Sequence, residues 1–196
     1  MHTLFVTLIV GILLIPTIMF FKTHKLWWLV LIFVGIVILI TDFKFHKQKI
    51  RTKTELMIPD EIKNSVIDNT KDLNAFEIAE YCSNVTCSLL KYSINQDKLF
   101  AKTPSKAHCV TYARVCSELC NIAYKAHDLD GYAENVCGYY TYFNVNLHKV
   151  LIALFPKKYQ RYLKDHDVVE LNIANKKYYI DPTMHDLFGN FKIKEY

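Results

Sequence analysis

Two segments near the C-terminal end, Asp167–Ile173 and Lys176–Asp181, alternate apolar and polar residues on either side of Ala174-Asn175. No other pattern in the chain constrains its fold as tightly, because a two-residue turn pairs only positions whose numbers sum to 349. Val169 then faces Ile180 and Leu171 faces Tyr178, so the apolar residues of both strands share one side, as a half-buried sheet requires. On the other side Asp181 falls opposite Val168 and diagonal to His166, roughly 7 Å away between Cα atoms, within reach for the two side chains. The pattern thus predicts an imidazole and a carboxylate delivered together at the end of one hairpin.

Upstream, the periodicity turns helical. Pro59-Asp60 starts a short helix running to about Asp68, and Asn74 followed by Glu77 is a capping-box pattern opening a helix over 74–92. Phe76, Ile78, Ala79, Cys82, Val85, Leu89 and Leu90 give that helix its apolar face. Asn95–Pro104 reads as loop, and Ser105 as the cap of a helix extending to about Tyr124, with Cys109 in its first turn or so. Tyr132–Phe143 reads as a strand interrupted at Gly138. Val145–Lys164 reads as a helical excursion broken at Pro156, with Leu147, Val150, Leu151, Leu154 and Phe155 on one core-packing face. The expectation is one α+β domain over 57–196, with a nucleophile helix packed on an antiparallel sheet.

The N-terminal region has a different composition. Leu4–Phe21 and Leu26–Thr41 are apolar runs without a formal charge, each near the length of a membrane-crossing helix. They predict a transmembrane hairpin over 1–43, with spans at about 4–21 and 26–43, Trp27 and Trp28 at an interface, and a multi-pass location in the lipid bilayer. Lys44, Lys47, Lys49, Arg51 and Lys53 crowd the exit of the second run, so 44–56 reads as a basic juxtamembrane linker and the domain as cytoplasmic. Residues 1–53 hold seven Lys/Arg against one acid, whereas 54–196 hold seventeen against eighteen. A domain so nearly neutral has no electrostatic footprint for nucleic acid.

Cys109, His166 and Asp181 have the chemistry of a thiol triad. A helix N-terminus and a neighbouring imidazolium both favour the thiolate over the thiol, and a carboxylate can hold the imidazole in the useful tautomer. Backbone amides near Cys109 can supply part of an oxyanion hole. If one of the six cysteines stays a free thiol, five remain, and that odd count favours reduced cysteines throughout. No Cys-x-x-Cys pair is present, so a zinc site built from Cys116, Cys120, Cys82, Cys87 or His108 has weak support. His108, His127, His148 and His185 read as surface or loop histidines, Glu170 as an exposed strand carboxylate, and Tyr139, Tyr140 and Tyr142 as sheet packing.

Three segments, Cys109-Val-Thr-Tyr-Ala at a helix start, His166-Asp-Val-Val-Glu170-Leu and Tyr178-Tyr-Ile-Asp181-Pro-Thr183, together resemble the transglutaminase-like superfamily of papain-like thiol enzymes over about Phe76–Met184. The resemblance implies acyl transfer or hydrolysis at peptide or protein amides, with Cys109 as nucleophile, His166 as general base and acid, and Asp181 as its orienter. It implies no cofactor and no metal ion. Two features depart from the family pattern: Asp167 and Val168 replace a small residue and an aromatic after the histidine, and Ala107-His108 stands where a glycine is usual. An inert, membrane-tethered protein-binding module on the same scaffold is the alternative expectation, motivated by Asp167 and Val168 reshaping the groove.

Overall fold

The first seven residues of the segment expected to be a basic linker form a strand. In the computed structural model, which describes residues 44–51, 56–142, 145–154, 157, 165–188 and 192–193, Lys44–Ile50 forms β1 at one edge of an antiparallel sheet. It is held there because Phe45 is apolar enough to enter the core. That ring is 5% exposed and packs edge-on against Tyr140 at 5.3 Å and tilted against Tyr179 at 5.4 Å. Of the two compact units into which the chain divides, the second begins at Phe45.

Helix α1 spans Asp60–Asn69 and helix α2 spans Ala75–Leu89. The capping box at the start of α2 is complete: Asn74 Oδ1 accepts from the N–H groups of Phe76 and Glu77, and the Glu77 carboxylate accepts from the Asn74 N–H. The helix stops at Leu89 rather than 92, because Leu90–Tyr92 becomes β2 and pairs in parallel with β3, Ser105–Ala107. Ser105 is therefore no helix cap; its hydroxyl donates to the Lys102 carbonyl and accepts from the Phe100 N–H.

Helix α3, Cys109–Ala126, begins at Cys109 itself. Its buried face carries Tyr112, Ala113, Val115, Cys116, Leu119, Cys120, Ala123 and Tyr124, the spacing expected of a helix lying on a sheet. Full burial of Val115 and Leu119 stabilises this packing by roughly 1.5–3 kcal/mol each. Polar pins fix its position further. Asn121 exchanges two hydrogen bonds with the backbone of Ala133 (2.7 and 2.9 Å), and the Tyr124 hydroxyl donates to the Ala75 carbonyl at 2.9 Å.

Strand β4, Gly131–Tyr142, runs without interruption through Gly138; β5 is Val145–Asn146 and α4 is Leu147–Leu154. Strands β6, His166–Ile173, and β7, Lys176–Ile180, form the hairpin in the register read from the alternation, Val169 facing Ile180 and Leu171 facing Tyr178. Ala174 and Asn175 both take left-handed φ, 50° and 62°, which is how a two-residue turn matches the twist of its strands. Helix α5, Pro182–Phe188, and strand β8, Lys192–Ile193, complete the order, with β1, β4, β6, β7 and β8 side by side.

One face of β4 and β6 packs against α3 through Ala133, Val169 and Leu171. The opposite face gathers Phe45, Val136, Tyr140 and Val168 into a second cluster. The observed class is α+β. No helix among the described residues is long and apolar enough to cross a membrane. The longest of them, α3, carries Arg114, Glu118 and Lys125 and buries its apolar face within the domain. The expected fold class with a two-helix transmembrane hairpin, and the multi-pass membrane localisation drawn from it, are corrected on that finding; the runs at 4–21 and 26–43 lie outside the described residues.

Candidate active site

Cys109, His166 and Asp181 converge although they come from a helix tip, a strand start and the residue after a strand. His166 opens β6 opposite Gly138 of β4, and its Nε2 lies 2.6 Å from Asp181 Oδ2. With Nε2 held by the carboxylate, Nδ1 is the nitrogen left for Cys109, whose thiol the neighbouring His166 side chain helps to hold down. Cys109 occupies the first position of α3, after His108. The N–H groups of a first helical turn lack intrahelical acceptors and point toward the helix tip.

Asp181 is fully buried, yet its oxygens are well supplied with donors. Oδ2 accepts from His166 and from the Tyr140 hydroxyl, both at 2.6 Å, while Oδ1 accepts from the N–H groups of Thr183 (3.0 Å) and Met184 (2.9 Å). A carboxylate in such a place is tolerated only when its lone pairs are occupied in this way. The first turn of α5 and the hydroxyl from β4 therefore fix the carboxylate, and the carboxylate fixes the imidazole.

The electrostatics follow from these contacts. Burial pushes the Cys109 thiol up, but hydrogen bonds with the His108 and His166 side chains, the His166 charge and the Asp167 backbone N–H outweigh it and bring the thiol down to about 7. His166 moves the other way: burial lowers it, and the charge and hydrogen bond of Asp181, followed by those of Cys109, hold it well above the ordinary histidine range. Both shifts favour a thiolate beside an imidazolium.

All six cysteines are free thiols, and others among them have the opposite character. Burial, with Asp186 beside it, pushes Cys87 up to about 12. Cys120 is held well above its ordinary range by hydrogen bonds with Cys116 and Cys82 and by burial. Cys82, Cys116 and Cys120 are core packing, each at 0% exposure. Among the described residues no group of three or more His, Cys, Asp or Glu is arranged to hold a metal ion.

Several site residues carried no signal that sequence reading could use. His148, expected at the surface, is 8% exposed on α4, its ring centroid 6.4 Å from that of Tyr140 and 6.4 Å from that of His166. Tyr140, expected as sheet packing, donates to Asp181. The His108 side chain, and not only its place in the chain, helps to hold the Cys109 thiol down. Glu170, expected as exposed, is 1% exposed and accepts from Lys47 (2.8 Å), Tyr179 (2.9 Å) and Lys177 (3.1 Å). Asp167 and Val168, expected to reshape the groove, are both at 0% exposure, Asp167 paired with Arg51 and Val168 in the second apolar cluster.

A scan against protein-family models and searches of the curated proteins and of the solved structures found no match for this chain. The likeness to the transglutaminase-like superfamily therefore rests on the three segments around Cys109, His166 and Asp181 alone.

Proposed function

We propose that the domain is a transglutaminase-like thiol enzyme that carries out acyl transfer at amide groups of peptides or proteins. One observation carries the reading: the sulfur at the tip of α3 meets an imidazole whose second nitrogen is held at 2.6 Å by a fully buried carboxylate. In the first half-reaction the Cys109 thiolate attacks the amide carbonyl carbon. The C–N bond then breaks as His166 gives its proton to the departing nitrogen, leaving a thioester on sulfur and a neutral imidazole. In the second half-reaction His166 takes a proton from the incoming water or amine, whose oxygen or nitrogen displaces the thiolate. Water gives hydrolysis or deamidation, and an amine gives a crosslink.

The N–H groups of Cys109 and Val110, at the very tip of α3, would help to stabilise the oxyanion that develops on the carbonyl oxygen. The inert-module alternative loses its motive, because the side chains of Asp167 and Val168 are taken up in the interior. The test is labelling of the full chain at Cys109 by an uncharged electrophile, resolved by peptide mass spectrometry, with intact-mass detection of a thioester after mixing with amide-bearing peptides. Fast labelling at neutral pH that slows sharply in His166→Ala supports the reading. Equal labelling of Cys109 in the wild-type and His166→Ala chains would falsify it.

A further inference from the structure

We propose that Arg51 is a positioning residue for this site: it grips the residues on both sides of His166 and so holds the start of β6 against the tip of α3. The inference rests on the thiol-enzyme reading and extends it to a residue in the segment expected to be a linker. Arg51 follows β1 directly, and its backbone N–H donates to the Asn135 carbonyl of β4 at 2.9 Å, so its Cα is tied to the sheet. Its guanidinium makes a two-pronged contact with Asp167, Nε to Oδ1 at 2.7 Å and Nη2 to Oδ2 at 2.9 Å, and Nη2 also reaches Asp165 Oδ2 at 3.1 Å.

The geometry of that grip matters for chemistry. A planar fork on a carboxylate fixes orientation as well as distance, which a single ammonium cannot do. Asp167 is at 0% exposure, and a buried carboxylate stripped of its cation is strongly unfavourable, so losing Arg51 forces residue 167 to move. Residue 167 cannot move without disturbing its neighbour His166 and its own backbone N–H, both of which help to hold the Cys109 thiol down. The groups facing Cys109 are His108 at the head of α3, His166 at the start of β6 and Tyr92 from β2; those facing Arg51 are Asp165, Asp167 and Cys137.

Lys47 provides an internal comparison. It lies on β1, four residues before Arg51, and neutralises another buried carboxylate, Glu170, at 2.8 Å, but neither residue touches Cys109, His166 or Asp181 through the contacts that build the site. Loosening of β1 in general would follow from either substitution. Loss of the grip on His166 would follow from one.

The experiment measures the alkylation rate of Cys109 against pH in the full chain, with thermal unfolding alongside, for wild type, Arg51→Met, Arg51→Lys and Lys47→Met. The wild-type midpoint is expected at about 7. In Arg51→Met it is expected to rise by about one unit, which lowers the thiolate fraction and the rate at pH 7 about fivefold. The lysine variant keeps the charge, loses the fork and gives a shift of the same sign. Lys47→Met lowers the melting temperature and leaves the midpoint in place.

A wild-type midpoint in both Arg51 variants overturns the inference, as does a shift in Lys47→Met equal to that in Arg51→Met. If the methionine variant does not fold, Arg51→Lys decides alone: a raised midpoint supports the inference and a wild-type midpoint overturns it. A wild-type chain whose Cys109 titrates in the ordinary thiol range overturns the functional reading as well, so the two failures are distinguishable.

Discussion

Tyr140 and His166, on the neighbouring strands β4 and β6, donate to the same oxygen, Oδ2 of Asp181, each at 2.6 Å. The carboxylate is thus oriented from the side opposite its backbone donors, and the tyrosine is part of what holds the imidazole in place. Replacing Tyr140 with Phe removes one donor from a buried charge while leaving the ring packing intact. A loss of about 1.5–3 kcal/mol in unfolding free energy is expected, read by urea titration, together with slower Cys109 alkylation at neutral pH.

The two linked titrations set a window in pH. Cys109 sits below its unfolded value of 9.0 at about 7, so its thiolate, and its alkylation by an uncharged reagent, decline as pH falls through about 7. His166 sits well above 6.5, so its proton is retained past neutrality and lost only as pH rises through that raised value. Alkylation should therefore rise to a plateau, whereas turnover of an amide, which needs the His166 proton, should be bell-shaped. His166→Ala should move the alkylation midpoint toward 9.0.

Ala174 carries φ of 50° in the β6–β7 turn, a region where a Cβ crowds the backbone. Ala174→Gly should therefore stabilise the protein by about 0.5–1 kcal/mol, with Asn in the same position a second favourable choice. Thermal unfolding reads the change directly, and Cys109 reactivity should not alter.

Gly138 faces His166 across β4 and β6, and a Cβ built there would collide with the His46 carbonyl oxygen and lie 2.7 Å from Phe45 Cζ. The obstacle is mainly the backbone of β1, which cannot yield by a rotamer change. Gly138→Ala should destabilise the protein by about 1–3 kcal/mol or release β1 from the sheet, and amide hydrogen exchange across 44–51 distinguishes the two.

Sequence alone carried the local part of this protein a long way. The capping box at Asn74 and Glu77, the start of α1 at Asp60 and the hairpin register all depend on neighbours within a few positions, where pattern and backbone geometry are directly coupled. The expectation that Asp181 reaches His166 came from that register, since two residues fifteen positions apart are joined by one short turn. Ser105 misled because a hydroxyl before a helical run resembles a cap equally well when it sits in a short strand.

The long-range part was written in the chain but could not be read from it. Tyr140 is forty-one positions from Asp181, and Arg51 is one hundred and sixteen from Asp167, so no local pattern announces either pair. The basic residues 44–51 look alike whether they stand in solvent or on a sheet edge. Phe45 entering the core and buried carboxylates demanding cations make them a strand, and both demands exist only after β4 and β6 have come together. Burial is a property of the assembled chain, and it took an apparently exposed glutamate and a surface histidine into the interior and set a half-buried linker arginine against a buried carboxylate.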